Sequence, residues 1–103
     1  MIKDILRRGR RYHGEAFTLY REIESMDQPD DYAVAYHISR HAGNAVKRNR
    51  LKRWLREDVR ELQKQMIIRG RFIIRFSGLV DHVSHPELSK ELGRIFSEIK
   101  TDA

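Results

Sequence analysis

Hydrophobic residues recur along the chain with two periods, one typical of helices and one of strands. Between residues 44 and 66 they return every three or four positions without an intervening Gly or Pro, so we predict a helix there with Asn44 as its N-cap. A similar stripe follows Ser84, where Glu87 completes a capping box and Pro86 occupies the first turn. The first residues predict a short helix that Gly9 ends. The apolar positions of the three helices are Ile2, Ile5 and Leu6; Leu51, Leu55, Val59, Leu62 and Met66; and Leu88, Leu92, Ile95, Phe96 and Ile99.

Three other stretches alternate with a period of two, which is the pattern of strands with one buried face. They cover residues 15–23, 32–39 and 71–77. A polar segment with Pro29 and several Asp residues separates the first two, which predicts a turn and an antiparallel pair. The elements follow the order α-β-β-α-β-α, and a chain of 103 residues is large enough for one core. We therefore predict an α+β fold, a two-layer α/β sandwich, in which residues 1–103 form a single domain.

Charge indicates the kind of partner. The sequence has 21 Lys and Arg against 15 Asp and Glu, a formal net charge of +6, which favours a polyanion through long-range attraction and counterion release. There is no Cys, so disulfides, thiolate metal sites and Cys nucleophiles are excluded. No apolar run is long enough to span a bilayer or to act as a secretory signal. We expect a cytoplasmic protein.

The basic residues of the central helix are predicted to lie on one side of it. At 100° per residue they occupy an arc of about 100° that flanks the apolar stripe, and this side is free to meet an anion. Glu57 and Glu61 lie on another side and do not neutralise the basic one. Trp54 lies between the apolar stripe and the acidic side, and we expect it to pack at the edge of the core. The basic side carries Asn49, Lys52, Arg53, Arg56 and Arg60.

Other candidate sites have simpler interpretations. His82 and His85 form an HxxH pair that could offer two metal ligands, but no third ligand accompanies them at a suitable spacing. The Asp residues of the polar segment could hold Mg²⁺ but are first of all turn residues. Ser77 and Ser84 could in principle act with a His, yet the strand-turn-helix elbow of such nucleophiles is missing. We predict no catalytic centre and no metal site on the protein.

The string from Ser39 to Glu57, SRHAGNAVKRNRLKRWLRE, resembles the signature of the bacterial ribonuclease P protein component, roughly SKKxGxAVxRNRxKRxxRE. Ten matched positions that include an Asn between two Arg residues are a specific signal. Arg40 and His41 stand where the family usually has two Lys residues, and Ile2 and Leu6 stand where its first helix usually has aromatic side chains. The matched positions are Gly43, Ala45, Val46, Arg48, Asn49, Arg50, Lys52, Arg53, Arg56 and Glu57.

The resemblance implies a protein subunit that assists a catalytic RNA. In that family the RNA and its Mg²⁺ ions remove the 5′ leader from precursor tRNA, and the protein binds both the RNA and the leader. It also implies a left-handed β-α-β crossover, whereas general rules predict a right-handed one. A non-enzymatic RNA- or DNA-binding module of the ribosomal type is the alternative that charge alone would allow. A self-sufficient protein nuclease is a third possibility, and the missing carboxylate or His constellation weighs against it.

The candidate site residues form three groups. With the family motif and the charge pattern taken together, the residues expected to bind RNA are Arg40, Lys47, Arg48, Asn49, Arg50, Lys52, Arg53, Arg56 and Arg60. The resemblance implies a leader-binding cleft with Leu6, Thr18 and Tyr20, and strand parity places the latter two away from the core, where an exposed Tyr could stack on a base. A second basic patch is expected at Arg7, Arg8, Arg10 and Arg11. The expected partners are the catalytic RNA and precursor tRNA, and the oligomeric state stays open.

Overall fold

A computed structural model describes residues 10–22, 32–65 and 70–102. The strands are β1 (Arg10–His13), β2 (Phe17–Arg21), β3 (Tyr32–Ile38) and β4 (Gly70–Phe76), and the helices are α1 (Ala45–Gln65) and α2 (His85–Asp102). Single turns of 3-10 helix at Arg40–Ala42 and Val80–His82 precede the two helices. The predictions for the N-terminal helix with Leu6, for Arg7 and Arg8, for the Asp-rich segment and for Met66 lie outside the described residues.

The four strands form one sheet in the order β1-β2-β4-β3. β4 is antiparallel to β2 and parallel to β3. The predicted antiparallel pair of residues 15–23 with residues 32–39, which correspond to β2 and β3, is therefore wrong. In place of that pairing, β4 lies between them: Phe72, Ile74 and Phe76 are buried on its core face, and Ile73 is buried between Arg71 and exposed Arg75 on the other face. This central strand pairs with both neighbours along its length and so separates β2 from β3.

The first strand was not expected. Arg10 and Arg11 were predicted to belong to a basic patch after a helix, but they begin β1, which pairs antiparallel with β2. Tyr12 is buried in the core between exposed neighbours, and the amide of Gly14 donates to the carbonyl of Phe17 at 2.8 Å to close the turn. Four residues with one apolar side chain are too few for a period of two to be recognised from the sequence.

The hydrophobic core lies between one face of the sheet and both helices. On α1 the buried stripe consists of Leu51, Leu55 and Val59, with Leu62 partly buried beside it. This confirms the predicted two-layer sandwich, and a fully buried Leu of this kind contributes about 1.5–3 kcal/mol. The five predicted apolar positions of α2 are all buried as well: Leu88, Leu92, Ile95, Phe96 and Ile99.

Both helices begin at the predicted caps. Asn44 Oδ1 accepts a hydrogen bond from the amide of Lys47 at 2.9 Å, and Ser84 Oγ accepts from the amide of Glu87 at 3.3 Å while donating to its carboxylate at 2.9 Å. These bonds satisfy amides that the first turn leaves without a helical partner. Helix α1 joins the parallel strands β3 and β4, and the left hand of this crossover stays a prediction. In the described ranges, neither helix has an apolar stretch long enough to cross a bilayer.

Candidate nucleic-acid interface

The outward side of α1 carries a row of cations with no internal partner. Arg53, Arg56 and Arg60 are exposed and Lys52 is half-buried. We call these four residues the cationic row. Within the described part of the chain, none of the four forms an ion pair or a hydrogen bond. Asn49, which was predicted on the same side, is exposed beside them.

The carboxylates of α1 point elsewhere. Glu61 lies 3.8 Å from Lys64, and Asp58 contacts His85 of α2 at 3.0 Å. Glu57 is exposed and makes no ion pair with another described residue. The prediction that acidic residues leave the basic side uncompensated is therefore confirmed, and the charge of the cationic row remains available to an external anion.

The N-terminal end of α1 is arranged differently. Lys47 Nζ lies 2.6 Å from Asp81 Oδ2, a residue of the 3-10 turn that precedes α2. The hydrogen bond from Lys47 holds the pKa of Asp81 below its ordinary value of 3.8, and the positive charges of Lys47, Arg50 and His82 act in the same direction. The ammonium group of Lys47 is therefore already paired with a carboxylate of its own chain.

Two further predicted RNA contacts flank this end of the helix. Arg40 is exposed in the 3-10 turn before α1, a turn in which Ser39 Oγ accepts from the amide of His41 at 3.2 Å. Arg48 is half-buried, and its Nε is buried with no hydrogen-bond partner among the described residues. The predicted RNA-binding set thus divides into the cationic row with Asn49 beside it and a group around the helix N-terminus.

A second candidate surface is the sheet face that lies opposite the helices. Thr18 and Tyr20 are on this face, whereas Phe17 and Leu19 are buried in the core, as strand parity predicts. The pairing register aligns residues from all four strands into two rows across the sheet. One row consists of His13, Thr18, Arg75 and His37, and the other of Arg11, Tyr20, Ile73 and Ala35.

Tyr20 is not the exposed ring that was expected. Only 8% of it is accessible, because it packs with Ile73 and Ala35 in a small cluster on this face and the guanidinium of Arg11 lies 5.6 Å from its ring centroid. The prediction of an exposed stacking platform is therefore wrong. Thr18, by contrast, is half-buried with side-chain surface facing solvent.

Sequence reasoning missed three polar side chains of this face: His13, His37 and Arg75, all of them exposed. Arg75 makes no ion pair within the described residues, whereas Arg71 of the same strand lies 3.6 Å from Glu22. The signal in the sequence is the alternation of Arg75 and His37 with neighbours that are buried or partly buried. Their alignment with Thr18 depends on the strand order, which the sequence analysis had wrong.

The two candidate surfaces meet at the edge strand β3. A groove of about 460 Å³ runs along it. Lys52 from the cationic row and Arg75 and His37 from the open sheet face all contribute to its walls, so a nucleic-acid strand could contact both surfaces at once. The remaining lining residues are Tyr36, Ile38, Ser39 and Ser77.

Trp54 and His85 form a contact between α1 and α2. Trp54 packs against the core, as predicted, and its ring is parallel to that of His85 with centroids 5.0 Å apart. His85 Nε2 lies 3.0 Å from Asp58, so one half of the predicted HxxH pair has a structural role. In residues 10–22, 32–65 and 70–102 there is no group of three His, Cys, Asp or Glu residues that could hold a metal ion.

A small α+β domain with an uncompensated cationic row and an open, basic sheet face is a protein of the nucleic-acid-binding class. Comparison with known proteins narrows this class. The sequence model of the family described as Ribonuclease P matches residues 1–100, so the chain belongs to the ribonuclease P protein family. Its members are RNA-binding components of an endoribonuclease that acts in tRNA processing and also contains an RNA.

Individual relatives agree with this assignment. The ribonuclease P protein component of Acidothermus cellulolyticus is 32% identical over 98 residues, which cover 95% of this chain and 81% of the relative. The ribonuclease P protein component of Bacillus cereus is 27% identical over 95 residues, which cover 92% of this chain and 81% of the relative. The resemblance noted in the signature of α1 is thereby confirmed.

Solved structures share the fold. The ribonuclease P protein of Thermotoga maritima superposes with a TM-score of 0.78 at 22% identity, covering 94% of this chain and 89% of that one. The ribonuclease P protein of Staphylococcus aureus superposes with a TM-score of 0.79 at 21% identity, covering 94% of this chain and 86% of that one. The predicted fold class is confirmed.

Proposed function

We propose that this chain binds the RNA of a ribonuclease P through the cationic row and leaves cleavage of precursor tRNA to that RNA and its Mg²⁺ ions. The observation that carries the proposal is that Lys52, Arg53, Arg56 and Arg60 form no ion pair with any described residue. Cations that are exposed and unpaired on a rigid helix keep their full charge for phosphates. Membership of the ribonuclease P family makes RNA the polyanion in question.

The mechanism is electrostatic and positional. Clustered phosphates of a folded RNA repel one another, and the cationic row neutralises several of them at once. This lowers the Mg²⁺ concentration that the RNA needs to fold and to hold its substrate. The helix is anchored from below by Leu51, Leu55 and Val59, so its charges approach the RNA as one fixed surface and do not have to be ordered on binding.

The open sheet face is proposed as the binding surface for the 5′ leader. A single strand that crosses β2, β4 and β3 would meet Thr18, Arg75 and His37 in one row. Because Tyr20 is buried under Arg11, the leader contacts this face through hydrogen bonds and phosphate pairing more than through stacking on Tyr20. The groove at β3 connects the leader surface with Lys52 of the cationic row.

The first experiment separates the roles of protein and RNA. The purified chain alone is incubated with precursor tRNA at physiological Mg²⁺, then with the addition of a matching ribonuclease P RNA. We expect no cleavage by the protein alone and faster cleavage with both components than with the RNA alone. A metal-dependent cut by RNA-free protein would overturn the proposal.

The second experiment tests the leader surface. Arg75→Ala should weaken binding of precursor tRNA to the assembled enzyme more than binding of mature tRNA, because only the precursor has a leader. Lys90→Ala on α2 serves as the matched control, since Lys90 is exposed and lies outside both surfaces. Equal losses for precursor and mature tRNA would show that Arg75 does not meet the leader.

The RNA that co-purifies with the chain distinguishes this function from a ribosomal or DNA-binding role. A ribonuclease P RNA is the expected species. Recovery of ribosomal RNA in its place would favour the alternative.

A further inference from the structure

Arg50 is held by an aromatic contact that the signature of the family does not include. Its guanidinium carbon lies 5.1 Å from the centroid of the Trp54 ring, one helical turn further along α1. The same ring stacks on His85 of α2 at 5.0 Å with an interplanar angle of 3°. Trp54 is thus in contact with a cation of its own helix and with the first residue of α2.

His85, the residue of α2 in this contact, is held in place by hydrogen bonds. His85 Nε2 is 3.0 Å from Asp58 Oδ1, and Ser89 Oγ donates to Asp58 Oδ2 at 2.8 Å. The carbonyl oxygen of His85 lies 2.9 Å from the same hydroxyl and is a second acceptor for its single proton. The Trp54 ring therefore packs against a residue whose position is set by hydrogen bonds between the two helices.

Arg50 does not belong to the cationic row. At 100° per residue it lies about 60° around the helix from Arg53 and about 120° from Arg56. Its neighbour on this side, Lys47, is engaged by Asp81. Arg50 is exposed and forms no ion pair with a described residue, so it is the available cation on this flank of the helix.

We infer that Trp54 is a positioning residue for RNA binding, because its indole holds the Arg50 guanidinium ready for a phosphate and His85 supports the indole. This inference rests on the proposed function. A guanidinium that packs on an aromatic face keeps its N–H donors along its edge, where they can still bind a phosphate in a bidentate manner. Restricting the side chain before RNA arrives also reduces the conformational freedom lost on binding.

The test is a double-mutant cycle in affinity for a ribonuclease P RNA. Trp54→Leu should weaken binding about two- to tenfold, the range expected when one long side chain has to be ordered on binding, while Trp54→Phe keeps an aromatic face and should stay within about twofold. In an Arg50→Ala background Trp54→Leu should have no further effect. In the matched background Arg56→Ala it should retain its full effect, because Arg56 is in the cationic row and does not contact Trp54.

Fluorescence provides a readout that a purely structural role would not affect. Trp54 is the single tryptophan of the sequence, so its emission reports directly on this contact. RNA binding should change the emission of the wild type and of the Trp54-containing Arg56→Ala variant but not that of Arg50→Ala. This measurement does not depend on whether Trp54→Leu folds.

The inference is overturned if Trp54→Leu weakens binding equally in the Arg50→Ala and Arg56→Ala backgrounds, or if RNA changes the emission of Arg50→Ala as it does that of the wild type. A failure of the proposed function gives a different result. In that case the Arg56→Ala protein itself binds the RNA as tightly as the wild type does.

Discussion

The salt dependence of RNA binding is the sharpest test of the cationic row. If Lys52, Arg53, Arg56 and Arg60 each neutralise one phosphate, the log–log plot of affinity against salt should have a slope of about −3 to −3.6 from these contacts alone. Raising the salt fourfold, from about 50 to about 200 mM, then lowers affinity about 60- to 150-fold. The assay is fluorescence anisotropy of a labelled ribonuclease P RNA.

Removing two charges of the cationic row should halve the part of the salt slope that the row contributes. In Arg53→Ala/Arg56→Ala the part of the slope that comes from the row falls to about −1.5 to −1.8. Because both side chains are exposed and lack partners among the described residues, the free energy of unfolding should change by less than about 0.5 kcal/mol per substitution. The effect would then be one of binding and not of stability.

The control is Lys64→Ala/Lys90→Ala, which lowers the net charge by the same amount. Lys64 lies near Glu61 and Lys90 is on α2, so neither belongs to the cationic row, and the slope should remain close to that of the wild type. If both double variants flatten the slope equally, binding follows net charge and the one-sided arrangement on α1 has no special role.

Three further predictions concern the support of these surfaces. Leu55→Ala, at a fully buried position under α1, should lower the free energy of unfolding in urea by about 3–5 kcal/mol, whereas Leu55→Met should cost less than about 1.5 kcal/mol. In Gly14→Ala the added methyl group would meet the Glu91 carboxylate, which accepts a hydrogen bond from the amide of Ala16 at 3.3 Å. The melting temperature should therefore fall slightly. In a Glu91→Ala background, Gly14→Ala should lower the melting temperature much less. Asp81→Asn should free Lys47 and make the salt slope steeper by about one. Since the folded-state pKa of Asp81 is lowered below 3.8, its stabilising contribution is fully present above pH 3.8 and is lost as the pH falls through that lowered pKa, so the melting temperatures of wild type and Asp81→Asn should converge only as the solution is acidified well below pH 3.8.

The helices could be predicted from the sequence because their determinants are local. The spacing of Leu51, Leu55 and Val59 defines a buried stripe, and the side chains of Asn44 and Ser84 cap the amides that follow them. Once the stripe is known, helical geometry also fixes which residues face outward. For this reason the cationic row was found correctly without any tertiary information.

Strand pairing could not be predicted in the same way. Alternation assigns Thr18 and Phe17 to opposite faces of β2, but it contains no information on which strand lies alongside. The order depends on pairings between strands distant in the sequence, in which β4 lies between β2 and β3 and aligns Ile73 with Tyr20 and Ala35. The alignment of Thr18 with Arg75 and His37 follows from that order and was missed with it.

The burial of Tyr20 illustrates a related limit. Parity gives the direction of its side chain, and this was correct, but the ring is covered by residues that come from three other strands: Arg11, Ala35 and Ile73. Accessibility of a sheet residue depends on neighbours distant in sequence. The alternation of a strand therefore predicts which face of the sheet a side chain lies on, but not whether that side chain is accessible to solvent.

The central position of β4 has a consequence for how the protein is made. Synthesis delivers β1, β2, β3 and α1 before β4, yet β3 has no partner in the sheet until residues 70–76 arrive. A nascent chain that ends within α1 can close the β1-β2 hairpin but cannot join it to β3. The sheet should therefore form in one late step. A chain truncated before residue 70 should not form stable backbone hydrogen bonds at β3.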